Sequence, residues 1–152
     1  MDIALQRELA RLLATLRREG RQQSGLDQRL VPPDNATAYR VAGMVAEELG
    51  WDVVGWKIAA MKEGLQRQLR TDQPIYGRVM MPVMPSPATV EHAKVCSPIP
   101  EVEYQAILGA DLPPREKAYT VEEVTEAVAS LHPGIELAEC RFVHDAAFPP
   151  LP

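Results

Sequence analysis

Five prolines fall between Met81 and Pro100, at Pro82, Pro85, Pro87, Pro98 and Pro100. Each removes a backbone donor and fixes one dihedral, so neither a long helix nor a central strand can cross this stretch. The segment reads as irregular, with short edge strands near Thr89-Val90 and Val95-Cys96. It separates a helix-rich beginning from a strand-rich second part, which is the pattern of an α+β chain.

Before the prolines, apolar residues recur at Leu5, Leu9, Leu12, Leu13 and Leu16, and arginines fill the opposite side. That spacing predicts a helix over 2–19 with one apolar face. Gly20 and Gly25 bracket a polar break. Pro32-Pro33-Asp34-Asn35 supplies a stop and a cap for a second helix over 36–49, with Val41, Met44, Val45 and Leu49 inward. Gly50 ends it. The run Val53 to Ala60 is β-branched and aromatic and predicts a buried strand interrupted by Lys57. A short helix is expected over 61–70, using Met61, Leu65 and Leu69. Pro74 to Val79 is a turn into extended chain.

After the prolines comes Pro100-Glu101-Val102-Glu103-Tyr104. On a strand, residues two apart share a face, so Glu101 and Glu103 project together and Val102 turns away. Taken alone, an E-x-E pair more often marks a solvated face. A third carboxylate, Glu136, lies in the apolar segment Gly134-Ile135-Glu136-Leu137-Ala138. Brought beside the pair, it makes an all-oxygen site with open positions. Such a site suits a hard divalent cation, Mg²⁺ or Mn²⁺, that also holds a substrate. Between the acidic segments, Thr120-x-x-Glu123 is a capping box ahead of Val121, Val124, Val128 and Leu131. It predicts a helix that His132-Pro133-Gly134 breaks, followed by a last strand over 135–142.

Composition narrows the function classes. The 152 residues suffice for one core, and the net charge of −5 offers no basic field to nucleic acid or anionic lipid. The longest apolar runs are too short to span a bilayer, and Met1-Asp2-Ile3-Ala4 lacks the design of a signal peptide. Cys96 and Cys140 have no metal-motif spacing. They suit small apolar fillers in a reduced, cytoplasmic protein, with a disulfide between them left open.

The order of several motifs then carries a resemblance. They are Gly55-Trp56-Lys57-Ile58, Gln73-Pro74-Ile75-Tyr76-Gly77-Arg78, Glu101-Val102-Glu103, Leu108-Gly109-Ala110-Asp111-Leu112-Pro113, Tyr119 to Val124, Leu131 to Glu136, and Arg141-Phe142. Over residues 36–144 the chain resembles the 2-keto-4-pentenoate hydratase family of the fumarylacetoacetate hydrolase superfamily. The resemblance implies N-terminal helices over residues 1–50. It also implies the first part of a mixed β-roll catalytic core over 51–152, with the C-terminal portion of the roll absent. The family's metal-binding carboxylates fall on Glu101, Glu103 and Glu136, and its lysine falls on Lys57. Two departures stand out. Acidic residues common after the family's Tyr-Gly turn are replaced by Arg78-Val79-Met80, and Ala59-Ala60-Met61 follows the lysine.

The expected activity is metal-dependent hydration of a 2-keto-4-enoate, as in aromatic-compound breakdown. The keto acid chelates the cation, which favours enolisation. Lys57 binds the substrate carboxylate or transfers a proton, a role that a lowered pKa would suit; the bland reading is a lysine whose head reaches solvent. Arg141 grips a carboxylate or pairs with Glu139, and Tyr76 lines the pocket or packs in the core. His132 supports the site or ends a helix; His92 and His144 are surface residues. Decarboxylation and C–C hydrolysis use the same logic. A truncated, non-catalytic metal-binding or assembly module is the alternative from another class. An open sheet edge further implies a homo-oligomer or a partner chain as its cover.

Overall fold

A computed structural model describes residues 1–69 and 71–143 of the chain. Mixed α+β structure is present, with N-terminal helices and two small antiparallel sheets. The chain groups into two compact units. One holds Met1–Cys96 together with the described residues from Cys140 onward, and the other is Ser97–Glu139.

The first unit is built on a helical hairpin. Helix α1, Ile3–Glu19, starts at Asp2, whose carboxylate accepts from the Leu5 N–H at 2.9 Å. It ends at Gly20 in the left-handed conformation. Helix α2, Asn35–Leu49, is capped in the same manner by Asp34 and Gly50. The expected apolar stripes face each other. Leu9, Ala10, Leu30 and Val41 form the buried core, with Leu5, Leu12, Leu13, Met44 and Val45 packed on it. Leu16 is wholly buried. Burying each such leucine contributes roughly 1.5–3 kcal/mol against the cost of ordering the chain.

Strands β1, Val53–Ala59, and β2, Ile75–Met80, pair antiparallel in the same unit, with Lys57 opposite Gly77, Trp56 opposite Arg78, and Ile58 opposite Tyr76. Between them, helix α3 covers only Glu63–Gln68. Met61 is therefore outside the helix and exposed, rather than on one side of it with Leu65 and Leu69 as expected. The edge strands expected near Thr89 and Val95 are not formed. A 3₁₀ turn, His92–Lys94, occupies that region instead.

The second unit is a ribbon. Strand β3, Ile99–Leu108, pairs antiparallel with β4, Val128–Ala138, and the capped helix α4, Val121–Ala127, precedes β4. The helix stops earlier than its apolar spacing predicts. From Val128 the backbone is extended and pairs with Leu108 after an irregularity between Ile107 and Leu108. Cross-strand hydrogen bonds thus override a helical period four residues before the expected end. Nor does His132-Pro133-Gly134 break the element. It lies inside β4, where Pro133 faces Tyr104. A two-stranded ribbon leaves one side of each strand without a ladder, which is where a proline is tolerated. Strand β4 ends at Ala138, not at Phe142. Phe142 instead forms an isolated parallel bridge with Gln23.

Cys96 and Cys140 border the ribbon and are separate thiols. The Cys96 thiol donates to the Gly20 carbonyl at 3.1 Å, and Gln22 Nε2 donates to the Cys140 carbonyl at 2.9 Å. Gln23 N–H donates to the Arg141 carbonyl, and Val143 N–H donates to that of Gln23, both at 3.0 Å. The short loop after α1 therefore grips both ends of the excursion. Gly20 is needed here twice over. Its φ is +60°, and a Cβ would lie 3.0 Å from the Lys94 carbonyl oxygen.

Candidate metal centre

The register of β3 and β4 decides which side chains meet. Glu101 lies directly opposite Glu136, and Glu103 lies opposite Gly134. Directly opposed residues and residues two apart share a face. All three carboxylates consequently project from one side of the ribbon. One oxygen from each lies within 4.8 Å of the other two, and all three residues are half-buried. In octahedral coordination at 2.0–2.1 Å, adjacent oxygens sit about 3 Å apart and opposite ones about 4 Å. The set lies close to that range, and its all-oxygen chemistry is of the kind a hard cation takes. Three protein oxygens would leave positions for water or a chelating ligand.

Gly134 adds a feature that sequence reasoning did not single out. A Cβ at this position would lie 2.3 Å from Gln105 Nε2 and 2.4 Å from Gln105 Cδ. The Gln105 side chain therefore lies across Gly134, on the face that carries the carboxylates. The available signal is Glu-x-Glu-x-Gln continued on one strand, with a glycine two residues before Glu136 on the other. His132 lies opposite Gln105 on this face, its Nε2 2.8 Å from the Ser130 hydroxyl. Its expected place at a helix end is not realised.

The opposite face of the ribbon is apolar apart from the Tyr104 hydroxyl. Its cross-strand pairs are Pro100 with Leu137, Val102 with Ile135, Tyr104 with Pro133, and Ala106 with Leu131. Val102 is 87% exposed, Tyr104 86%, and Ile135 71%.

The remaining candidates lie in the first unit. Lys57 is half-buried on the β1 face shared with Gly55 and Ala59, opposite the side-chain-free Gly77. Tyr76 projects from the other face of the same pair of strands, as the partner of Ile58. Its ring stacks on Tyr39, with centroids 4.2 Å apart and planes 4° apart. Lys57 and Tyr76 are thus set back to back. Arg141 lies beyond β4 rather than extending the Glu136 row, and its Nη1 is 3.5 Å from Cys96 Sγ. His92 is exposed and begins the 3₁₀ turn. His144 and the tail Phe148 to Pro152 lie outside the described residues.

Among the described residues, no helix is long and apolar enough to cross a membrane. No family model matches the chain. It is similar to 2-keto-4-pentenoate hydratase 1 of Dechloromonas aromatica (strain RCB), with 30% identity over 138 residues, covering 87% of this chain and 51% of the relative. The chain spans about half the length of the curated relative it matches.

Proposed function

We propose that this chain carries the metal-binding part of a 2-keto-4-enoate hydratase. The observation that supports this reading is the convergence of Glu101, Glu103 and Glu136 on one ribbon face. Those carboxylates would hold Mg²⁺ or Mn²⁺. When bound, such an ion supplies Lewis acidity to a chelating keto acid. In the conversion of 2-hydroxypenta-2,4-dienoate to 4-hydroxy-2-oxopentanoate, one proton passes from the 2-hydroxyl to the terminal carbon, and Lys57 is our candidate for carrying it. Water then adds its hydroxyl to the fourth carbon and a proton to the third. The Gln105 amide, on the carboxylate face, offers a neutral donor to a substrate oxygen. Arg141 is the substrate-binding candidate in this reading, whereas Tyr76 faces away from Lys57 and stacks on Tyr39. The ribbons belong to a β-roll of the fumarylacetoacetate hydrolase type in a cytoplasmic, oligomeric protein.

A second reading is a metal-binding assembly module that acts only with another chain. The exposed apolar face of β3–β4 favours it. One pair of measurements on the same sample separates the two. Mn²⁺ binding together with loss of dienoate absorbance supports the hydratase, and Mn²⁺ binding without turnover supports the module. An unchanged Mn²⁺ titration in Glu103→Gln removes the metal centre from both. Decarboxylase and C–C hydrolase variants of the activity are separated by assay with a 2-oxo-enedioate and an acylpyruvate.

A further inference from the structure

Gly134 stands inside β4, where a glycine weakens the strand and often marks the close approach of another group. Its backbone does not call for glycine, because it is not among the glycines with positive φ. What excludes a side chain here is Gln105. The three heavy atoms nearest to a Cβ at position 134 all belong to that residue: Nε2 at 2.3 Å, Cδ at 2.4 Å and Cγ at 2.8 Å.

The strand register gives this contact its meaning. Glu101 faces Glu136 and Glu103 faces Gly134, so the four positions form a square on one side of the ribbon. Three corners carry carboxylates whose oxygens lie within 4.8 Å of one another. The fourth corner has no side chain of its own, and the Gln105 amide fills it from the diagonal position. Long side chains reach a diagonal cross-strand neighbour in this way. Gln105 is exposed, so the amide in that corner is accessible from solvent. Charge then determines what a neutral group can do there. Three carboxylates around a divalent cation leave the site net negative, which opposes an anionic ligand. An amide adds no charge and offers two N–H donors.

We infer that Gly134 and Gln105 act as one unit that admits a chelating oxyanion to the cation site. Gly134 is the positioning residue, since its missing side chain lets the amide enter the fourth corner. Gln105 is the specificity-determining residue, donating from that amide to an oxygen of the anion. The inference rests on the proposed metal centre and deepens it, by naming the group that favours an anionic keto acid over water at a site otherwise lined by negative charge.

The test uses the full chain and two probes. Mn²⁺ is titrated by calorimetry, and oxalate, a stable chelating dianion, is then titrated against the Mn²⁺-loaded chain by water-proton relaxation. Gln105→Met keeps the length of the side chain and removes the amide. It should leave Mn²⁺ affinity unchanged and weaken oxalate about tenfold, the size of one hydrogen bond to a charged group. Gly134→Ala should do the same, because its methyl displaces the amide. The double variant should lose no more than either single one, since both remove a single contact. Far-UV circular dichroism and the urea midpoint check that each variant folds; a merely structural role would lower the midpoint and weaken both probes together. Absence of Mn²⁺ binding in the parent overturns the metal centre and this inference with it. Mn²⁺ binding with oxalate affinity unchanged in Gln105→Met overturns this inference alone. Weaker Mn²⁺ binding in Gln105→Met would make the amide oxygen a ligand of the cation and overturn the donor role. Losses that multiply in the double variant would overturn the coupling of Gly134 to Gln105.

Discussion

In the α1–α2 hairpin the large apolar side chains point inward; in the β3–β4 ribbon they point outward. Leu9, Leu16 and Val41 have lost nearly all contact with water, whereas Val102, Tyr104 and Ile135 remain largely exposed. Both elements are amphipathic, so the difference lies in what each one meets. The two helices bury each other's stripes and are locally sufficient. The ribbon turns its carboxylate side to half-burial and leaves its apolar side to solvent. A two-stranded ribbon with one uncovered face is marginal by itself. Here the helical hairpin is the part that anchors the first unit, and the ribbon is the part that gathers three carboxylates on one face.

Substitutions can break this contrast. Leu16→Ala opens a cavity in the helical core and should lower unfolding free energy by about 3 kcal/mol, read from urea denaturation. A smaller loss would mean that the hairpin core is looser than its packing. Glu136→Gln removes one of the converging carboxylates and should weaken Mn²⁺ at least about 100-fold, with little change in the urea midpoint. An unaltered affinity would show that the acidic face is only a solvated surface.

Thr120→Ala deletes the cap of α4 and should cost about 1 kcal/mol. The same cap gives a pH signature. Hydrogen bonds from the Arg115 side chain, and then from the Thr120 backbone, hold the Glu123 carboxyl down at about 2. A depressed carboxyl contributes fully above its unfolded pKa, and that contribution is lost as the pH falls toward its folded value. Helicity at α4 should therefore persist to about pH 4 and fade toward about pH 2, measured by circular dichroism. Arg115→Gln should move the loss upward. The smallest effect is expected at the apolar ribbon face. Leu131→Ala should stay within about 0.5 kcal/mol of the parent, because the side chain is mostly in water already. A large loss there would show that the face is covered in solution.

The helices were legible because their signals are local. Leu5 to Leu16 carry a helical period, and Asp2, Gly20, Asp34 and Gly50 stand where caps are needed. The carboxylate triad was legible for a similar reason: two of its members are two residues apart on one strand. The start of β4 was not. Val121, Val124, Val128 and Leu131 keep a helical spacing through the point where the chain changes conformation, and pairing with Leu108 and Ile107 decides the outcome. Pro133 misled in the same way, because its cost depends on whether a second neighbour strand exists. Gln105 escaped notice since its place over Gly134 depends on register, which one strand alone cannot specify.

The loop Gly20–Gln23 holds Cys96 on one side and Cys140 to Val143 on the other. The polypeptide thus departs from the helical scaffold and rejoins it at nearly one spot, as in insertions that tolerate exchange. A few-residue bridge in place of 97–139 would span the gap without straining the leucine interior. Exchange of residues 97–139 for a shorter or longer segment should accordingly leave the packing of the leucine interior unchanged.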